Sequence, residues 1–246
     1  RVVWWLHETR QQLETEGNML NPQLFSDNIK IYGVSEAVKR GIKDMFGYAI
    51  GILPIPIAEK KTLNSEHEKT VFFIPAAYSY IKGQDILLKA ISMLPDEMMT
   101  RSKFVFCGYT LPGQEDYYKE IKKIIQRLPN VEDIGCISRE EVYKWYSECD
   151  CVIAPSRVDS NPASIVEGMM FKKFVIASAD TGIAYYIKDC ENGFVFNNED
   201  ELLKRLMLII SDGNSLWQIA GAGYELYKNR FSPDAVRSLL ESEGFV

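Results

Sequence analysis

Two carboxylates, Asp159 and Glu167, stand with seven residues between them in the stretch DCVIAPSRVDSNPASIVEG, residues 150–168. An ionised carboxylate only accepts hydrogen bonds, so such a pair suits the hydroxyls of a sugar. Between the two lie Asn161, Pro162, Ala163 and Ser164, at the expected start of a helix. Free backbone N–H groups and the positive end of a helix dipole suit a phosphate. An acid beside an anion site repels the anion, so each carboxylate should have another task. On spacing alone, a solvated Asp and an ordinary helix Glu account for the same letters. A third candidate is Lys82, followed by Gly83 at a strand-to-helix junction. Lys neutralises a diphosphate there, and Gly lets the backbone come close. His7 falls at the carboxyl end of an apolar run, where open α/β sheets bind ligands. A His packed under a loop is its alternative.

The elements that must position these residues read as an alternation of strands and helices. Residues 151–154 form an apolar run of the kind buried on both sheet faces, ended by Pro155 and Ser156. A polar loop follows over 157–161. Pro162 sits where a helix tolerates it, Ser160 or Asn161 can cap that helix, and Ala163, Ser164 and Ile165 offer its first amides. Ile165, Val166, Met169 and Met170 give it an apolar face. Further strands are expected at 2–6, 29–34, 70–76, 103–107, 131–134, 174–177 and 194–196. Helices are expected after Ser35, at 85–93 and 117–128, after Ser138 with Glu141 completing a capping box, from Asn198, at 217–229 and at 234–242. Residues 9–17 suggest a helix ended by Gly17, and His67 lies in a charged loop. Pro54 and Pro56 stiffen the run 49–57 and argue for a crossover rather than a central strand. Together these give an α/β, Rossmann-like, doubly wound parallel sheet.

The motif Asp159-Ser-Asn-Pro162-Ala-Ser-Ile-Val-Glu167-Gly168 resembles the acidic pair of retaining, family 4-type glycosyltransferases with the GT-B fold. Lys172-Lys173-Phe-Val-Ile-Ala-Ser178, Thr181-Gly182 and Glu191-Asn192-Gly193-Phe194-Val195 continue the resemblance in the same order. It runs from about residue 71 to 231, and more weakly upstream. It implies a GT-B C-terminal donor-binding domain at 57–230, a partial N-terminal α/β remnant of the acceptor side at 1–56, and a C-terminal helix at 231–246 packing back toward that part.

The same resemblance implies roles. Lys82 and Gly83 would hold the diphosphate of a nucleotide-sugar donor, Gly108 would lie beside the nucleotide, and Gly135 and Ile137 would edge the base. Asp159 would orient the transferred sugar, Glu167 the ribose, and His7 would approach the donor sugar. Ala77 stands where the family usually carries an Arg, and Arg157 is the candidate to supply that charge, a surface ion pair being its alternative. The implied reaction is glycosyl transfer with retention to a glycan or lipid-linked acceptor, in cell-surface polysaccharide synthesis. The leaving phosphate would assist deprotonation of the acceptor, and no metal or other cofactor is expected. Two other functions stay open: a nucleotide-sugar-binding module without transfer, favoured by Ala77, and a sugar-nucleotide epimerase, for which acid and base residues are lacking.

Composition bounds the rest. A chain of 246 residues with 46% hydrophobic content can bury a large core. Net charge is −6, which argues against nucleic acid as a partner. Cys149 and Cys151 are too close for the usual zinc spacing, and the two histidines do not complete a metal site. Cys107, Cys136 and Cys151 read as small apolar residues in or beside strands. No run is long enough to span a membrane and no signal peptide is visible, so a cytoplasmic protein is expected, with peripheral association at the inner face of the membrane through another part of the protein. The start at Arg1, inside an apolar run, suggests a piece of a longer protein.

Overall fold

The computed structural model describes residues 2–15, 29–60 and 68–245. Two parallel sheets organise it. The smaller has three strands, β1 (Val2–Leu6), β2 (Ile29–Gly33) and β3 (Gly51–Ile52), in that order. Helices α1 (Arg10–Thr15) and α2 (Glu36–Phe46) accompany it. Gly17, the expected end of α1, lies outside the described residues, as does His67. Ser35 caps α2 by accepting from the Val38 N–H, and Gly47 ends it with φ of 73°. The Leu53 N–H still reaches the Gly33 carbonyl at 2.9 Å, but Pro54 has no N–H to carry the ladder of β3 further.

The larger sheet has six parallel strands: β4 (Thr70–Pro75), β5 (Ser102–Cys107), β6 (Val131–Asp133), β7 (Cys151–Ala154), β8 (Phe174–Ser178) and β9 (Phe194–Phe196). Their spatial order is β6-β5-β4-β7-β8-β9. The chain therefore winds outward one way from β4, returns, and winds outward the other way from β7. Ligands of such sheets lie at the carboxyl ends where the winding reverses.

Neighbouring residues on one strand serve opposite faces, which is why these strands are continuously apolar. Phe72 joins Leu87, Leu88, Phe104, Phe174 and Leu206 on one side. Phe73 joins Val105, Val152, Ile165, Met169 and Tyr227 on the other. Each fully buried aromatic or aliphatic side chain here contributes roughly 1.5–3 kcal/mol. The first face is covered by α3 (Gln84–Ser92), α5 (Glu115–Ile125) and α8 (Glu199–Asp212), the second by α6 (Arg139–Glu148) and α7 (Ala163–Met170), while α9 (Trp217–Arg230) gives Ile219 and Ala220 to the first and Tyr227 to the second. A short helix, α4 (Asp96–Thr100), was not expected. Five residues are too few to show a helical period, and Pro95 before the first turn was its sequence signal.

Helix α10 (Pro233–Ser242), capped by Ser232, leaves the larger unit and packs on the smaller one. Val236, Leu239 and Leu240 meet Tyr32 and Leu53, and the Tyr32 hydroxyl donates to Glu243 at 2.9 Å. The chain thus crosses between the units twice. The crossings touch: the Ile57 N–H donates to the Phe231 carbonyl at 2.8 Å. No helix among the described residues is long and apolar enough to cross a membrane.

Candidate active site

At the reversal point, the ends of β4, β5 and β7 enclose a cavity of about 560 Å³. Two glycines make room for it. A Cβ on Gly108 would lie 2.1 Å from the Ala76 carbonyl oxygen, and one on Gly83 would lie 2.1 Å from that of Pro155. Gly83 also has φ of 67°, which ends the short turn Tyr80–Lys82 and starts α3. Any other residue there would push apart the strand ends that carry Lys82 and the acidic loop.

The loop between β7 and α7 differs from expectation. Neither Ser160 nor Asn161 caps α7. Pro162 occupies the N-cap, and the Asn161 N–H donates to Oδ1 of Asp159 at 3.1 Å. A proline at the cap offers no side-chain acceptor, so the Ala163 and Ser164 N–H groups have no protein acceptor among the described residues. Ile165, by contrast, spends its N–H on the Pro162 carbonyl at 3.1 Å. The segment around Thr181 holds the loop from behind. The Gly182 N–H donates to the Asp159 carbonyl at 2.8 Å, and a Cβ on Gly182 would meet the Ser160 carbonyl oxygen at 1.8 Å.

Lys82, Gly108, Ile137, Asp159, Asn161, Pro162, Ala163, Ser164 and Glu167 all line this cavity. Lys82 Nζ donates to Oδ2 of Asp159 at 2.5 Å. Asn161 is buried and its Oδ1 has no hydrogen-bond partner among the described residues, so it is an acceptor in want of a donor. Gly83 and Gly135 stand behind the wall instead; the Gly135 carbonyl receives the Gly108 N–H at 3.0 Å. His7 does not reach this cavity. It lines an adjoining space of about 360 Å³ between the two units, which shares Lys82 and Asp159.

Arg157 is the clearest correction. Its guanidinium grips Asp85 with two hydrogen bonds, 2.8 and 2.6 Å, donates to the Tyr80 carbonyl at 2.7 Å and lies 3.8 Å over the Tyr80 ring. It is not part of the cavity wall. A bidentate carboxylate partner and a stacked ring outweigh any reason to turn inward. Cys136 is also corrected: it is exposed, on the cavity wall, rather than packed.

Sequence reasoning missed Arg139 and the hydroxyl of Tyr146. Arg139 is the first residue of α6, and its NH2 group bonds Oε1 of Glu167. The Tyr146 hydroxyl donates to Oε2 of Glu167 at 2.7 Å from a ring that is fully buried. Burial pushes that hydroxyl well above the ordinary tyrosine value, so it remains a donor. One signal for Arg139 was present: a cation at a helix N-terminus opposes the dipole, which asks for a compensating anion.

The remaining chemistry of the wall is negative in kind. Burial raises the Cys107 thiol to about 11, so it is no thiolate nucleophile at neutral pH. Among the described residues, no group of three or more His, Cys, Asp or Glu is placed to hold a metal. The arrangement offers a cation and free amides for an anion, flanked by carboxylates for hydroxyls.

Comparison with known proteins is consistent with such a site. The family described as Glycosyl transferases group 1 matches residues 56–226. An uncharacterized glycosyltransferase of Methanocaldococcus jannaschii is 27% identical over 177 residues, covering 70% of this chain and 47% of that protein. The chain thus spans about half the length of that relative. Among solved structures, HepE of Anabaena in complex with UDP and glucose has a TM-score of 0.82 at 20% identity, over 99% of this chain and 71% of its own. Sucrose-phosphate synthase of Thermosynechococcus elongatus has a TM-score of 0.81 at 15% identity, over 98% and 66%. These likenesses show the fold, a GT-B arrangement of Rossmann-like units.

Proposed function

Because this chain belongs to the glycosyl transferases group 1 family, we propose that its protein transfers a sugar from a nucleoside-diphosphate sugar to a hydroxyl of a glycan or lipid-linked acceptor. The observation that carries the proposal is the Lys82–Asp159 pair beside the two free amides of α7, all on one cavity at the sheet's reversal point. In this reading the bond from the anomeric carbon to the β-phosphate oxygen breaks, and the new bond forms to the acceptor oxygen. Charge gathers on the departing diphosphate, where Lys82 and the N–H groups of Ala163 and Ser164 stabilise it without a metal. Asp159 and the unpartnered Oδ1 of Asn161 accept from the hydroxyls of the sugar. Glu167 accepts from the ribose.

Retention at the anomeric carbon follows the resemblance of the acidic pair. The acceptor's proton then leaves on a phosphate oxygen, since no side chain is assigned as its base. His7 and the 360 Å³ space border the transferred sugar. A role in cell-surface polysaccharide synthesis, at the cytoplasmic face of the membrane, is the matching setting. The HepE structures with UDP and UDP-glucose make UDP-glucose the first donor to test.

A panel of UDP-, GDP- and dTDP-sugars, scored by thermal unfolding, tests the reading. A ligand at a hundredfold over its dissociation constant adds about 2.7 kcal/mol to stability. If no nucleotide raises the melting temperature, the proposal fails. A second reading, a binding module without transfer, is favoured by Ala77 on the cavity wall, where the resembled family carries a cation. Stabilisation by a donor with no transfer from the full-length protein would favour it.

A further inference from the structure

The ionisable groups of the cavity wall cancel. Lys82 and Arg139 are its cations, Asp159 and Glu167 its carboxylates, and each cation is bound to one carboxylate. A nucleoside diphosphate brings negative charge into a wall where each cation already faces a carboxylate. It is held more tightly if a cation turns from its carboxylate toward the phosphates.

We infer that Arg139 is a second phosphate-binding cation, which releases Glu167 when a nucleotide enters; this rests on the nucleotide-sugar reading above. The two ends of its ion pair are held very unequally. The Glu167 side chain is 5% exposed and keeps the Tyr146 hydroxyl on its other oxygen. The Arg139 side chain is 57% exposed, and its second contact is the Tyr143 ring on its own helix, 4.6 Å away. The arm moves and the carboxylate stays.

A short swing suffices. Glu167 lies one helical turn beyond Ala163, a rise of about 6 Å along α7. The free amides that favour a phosphate are therefore within the reach of a guanidinium that now touches Glu167. Exchange improves both ends. Arg139 trades a single-nitrogen contact for phosphate oxygens that its planar fork fits. Oε1 of Glu167 becomes free to accept a ribose hydroxyl while Tyr146 holds Oε2. Arg157 cannot do this, because its double grip on Asp85 and its stacking on Tyr80 fix it outside the wall.

Calorimetry on the intact protein decides, with UDP and uridine as probes, or GDP and guanosine if the panel selects guanine. Arg139→Ala should weaken UDP by about tenfold to a hundredfold, the loss of one charge-assisted contact. Uridine should bind Arg139→Ala at least as well as wild type, since Glu167 no longer has a competitor. Arg139→Lys should recover part of the loss for UDP. Equal weakening of uridine and UDP would overturn the inference, because Arg139 would then serve only to position Glu167. So would an unchanged UDP affinity. If the wild-type protein binds neither UDP nor GDP, it is the nucleotide-sugar reading itself that fails. The unfolding midpoint of each variant guards against loss of fold.

Discussion

Tyr146 and Glu167 meet inside the protein: a fully buried phenol donates to a carboxylate that is itself only 4% exposed. The pair fixes the acid from the core side and leaves its other oxygen toward the cavity. Tyr146→Phe removes that donor without opening space for water. It should destabilise the fold by about 1.5–3 kcal/mol, the range for a hydrogen bond to a charged group. Urea unfolding measures it, and a loss below about 0.5 kcal/mol would mean that Glu167 does not depend on this partner.

Lys82→Ala should weaken a nucleoside diphosphate far more than the bare nucleoside. The charge-assisted contact is worth about 1.5–3 kcal/mol, and Arg157 is committed to Asp85 and cannot replace it. Titration with both ligands reads the difference. Equal losses would place Lys82 away from the phosphates.

The acidic pair separates transfer from binding. Glu167→Gln should weaken every ribonucleotide tested, whether or not it bears a sugar. Asp159→Asn should leave nucleoside diphosphate binding nearly unchanged and slow transfer in the full-length protein by about tenfold to a few hundredfold. Affinities for both variants, followed by transfer rates, check the assignment. If neither substitution changes affinity or rate, the pair is a coincidence of spacing.

Acid should expose the Asp85–Arg157 bond. Burial alone would raise the Asp85 carboxyl, but hydrogen bonds from Arg157 and Tyr117 outweigh it and hold the group below its ordinary value. As pH falls, the unfolded chain takes up this proton first. The stabilisation is therefore complete above the ordinary carboxylate value of about 3.9 and is lost as pH falls through the folded value. Asp85→Asn should lower stability at neutral pH yet lose less of it on acidification. Denaturation at neutral pH and near pH 3 compares the two; parallel losses would remove Asp85 from the account.

The legible parts of this structure are those written in contiguous residues. Phe72 and Phe73 announce a strand buried on both faces because nothing polar interrupts the run around them. Ser138 and Glu141 announce a capping box, and both halves of it form. Asp159, Lys82 and the start of α7 come to one cavity because each ends or begins an element at the same sheet edge. What escaped depends on distance along the chain. Arg139 and Glu167 are 28 residues apart, and Arg157 and Asp85 are 72 apart, so no periodicity relates either pair. Asn161 failed as a cap for a local reason: Pro162 takes the cap position, which leaves Asn161 one residue too early, with its backbone N–H turned to the Asp159 carboxylate.

The hydrogen bond between Ile57 and Phe231 makes the two chain crossings a single spine. A cut at the first crossing would leave the smaller sheet without a covalent link, held by the packing of α10 through contacts such as Val236 and Leu239 on Tyr32 and Leu53, so a nicked protein would stay together by such contacts alone. If the units rotate, they do so as the covers of a book do, with the least movement at Ile57 and Phe231 and the most at surfaces far from them. Residues such as His7 would then approach or leave Asp159 by a change of angle at that spine, with neither sheet altered.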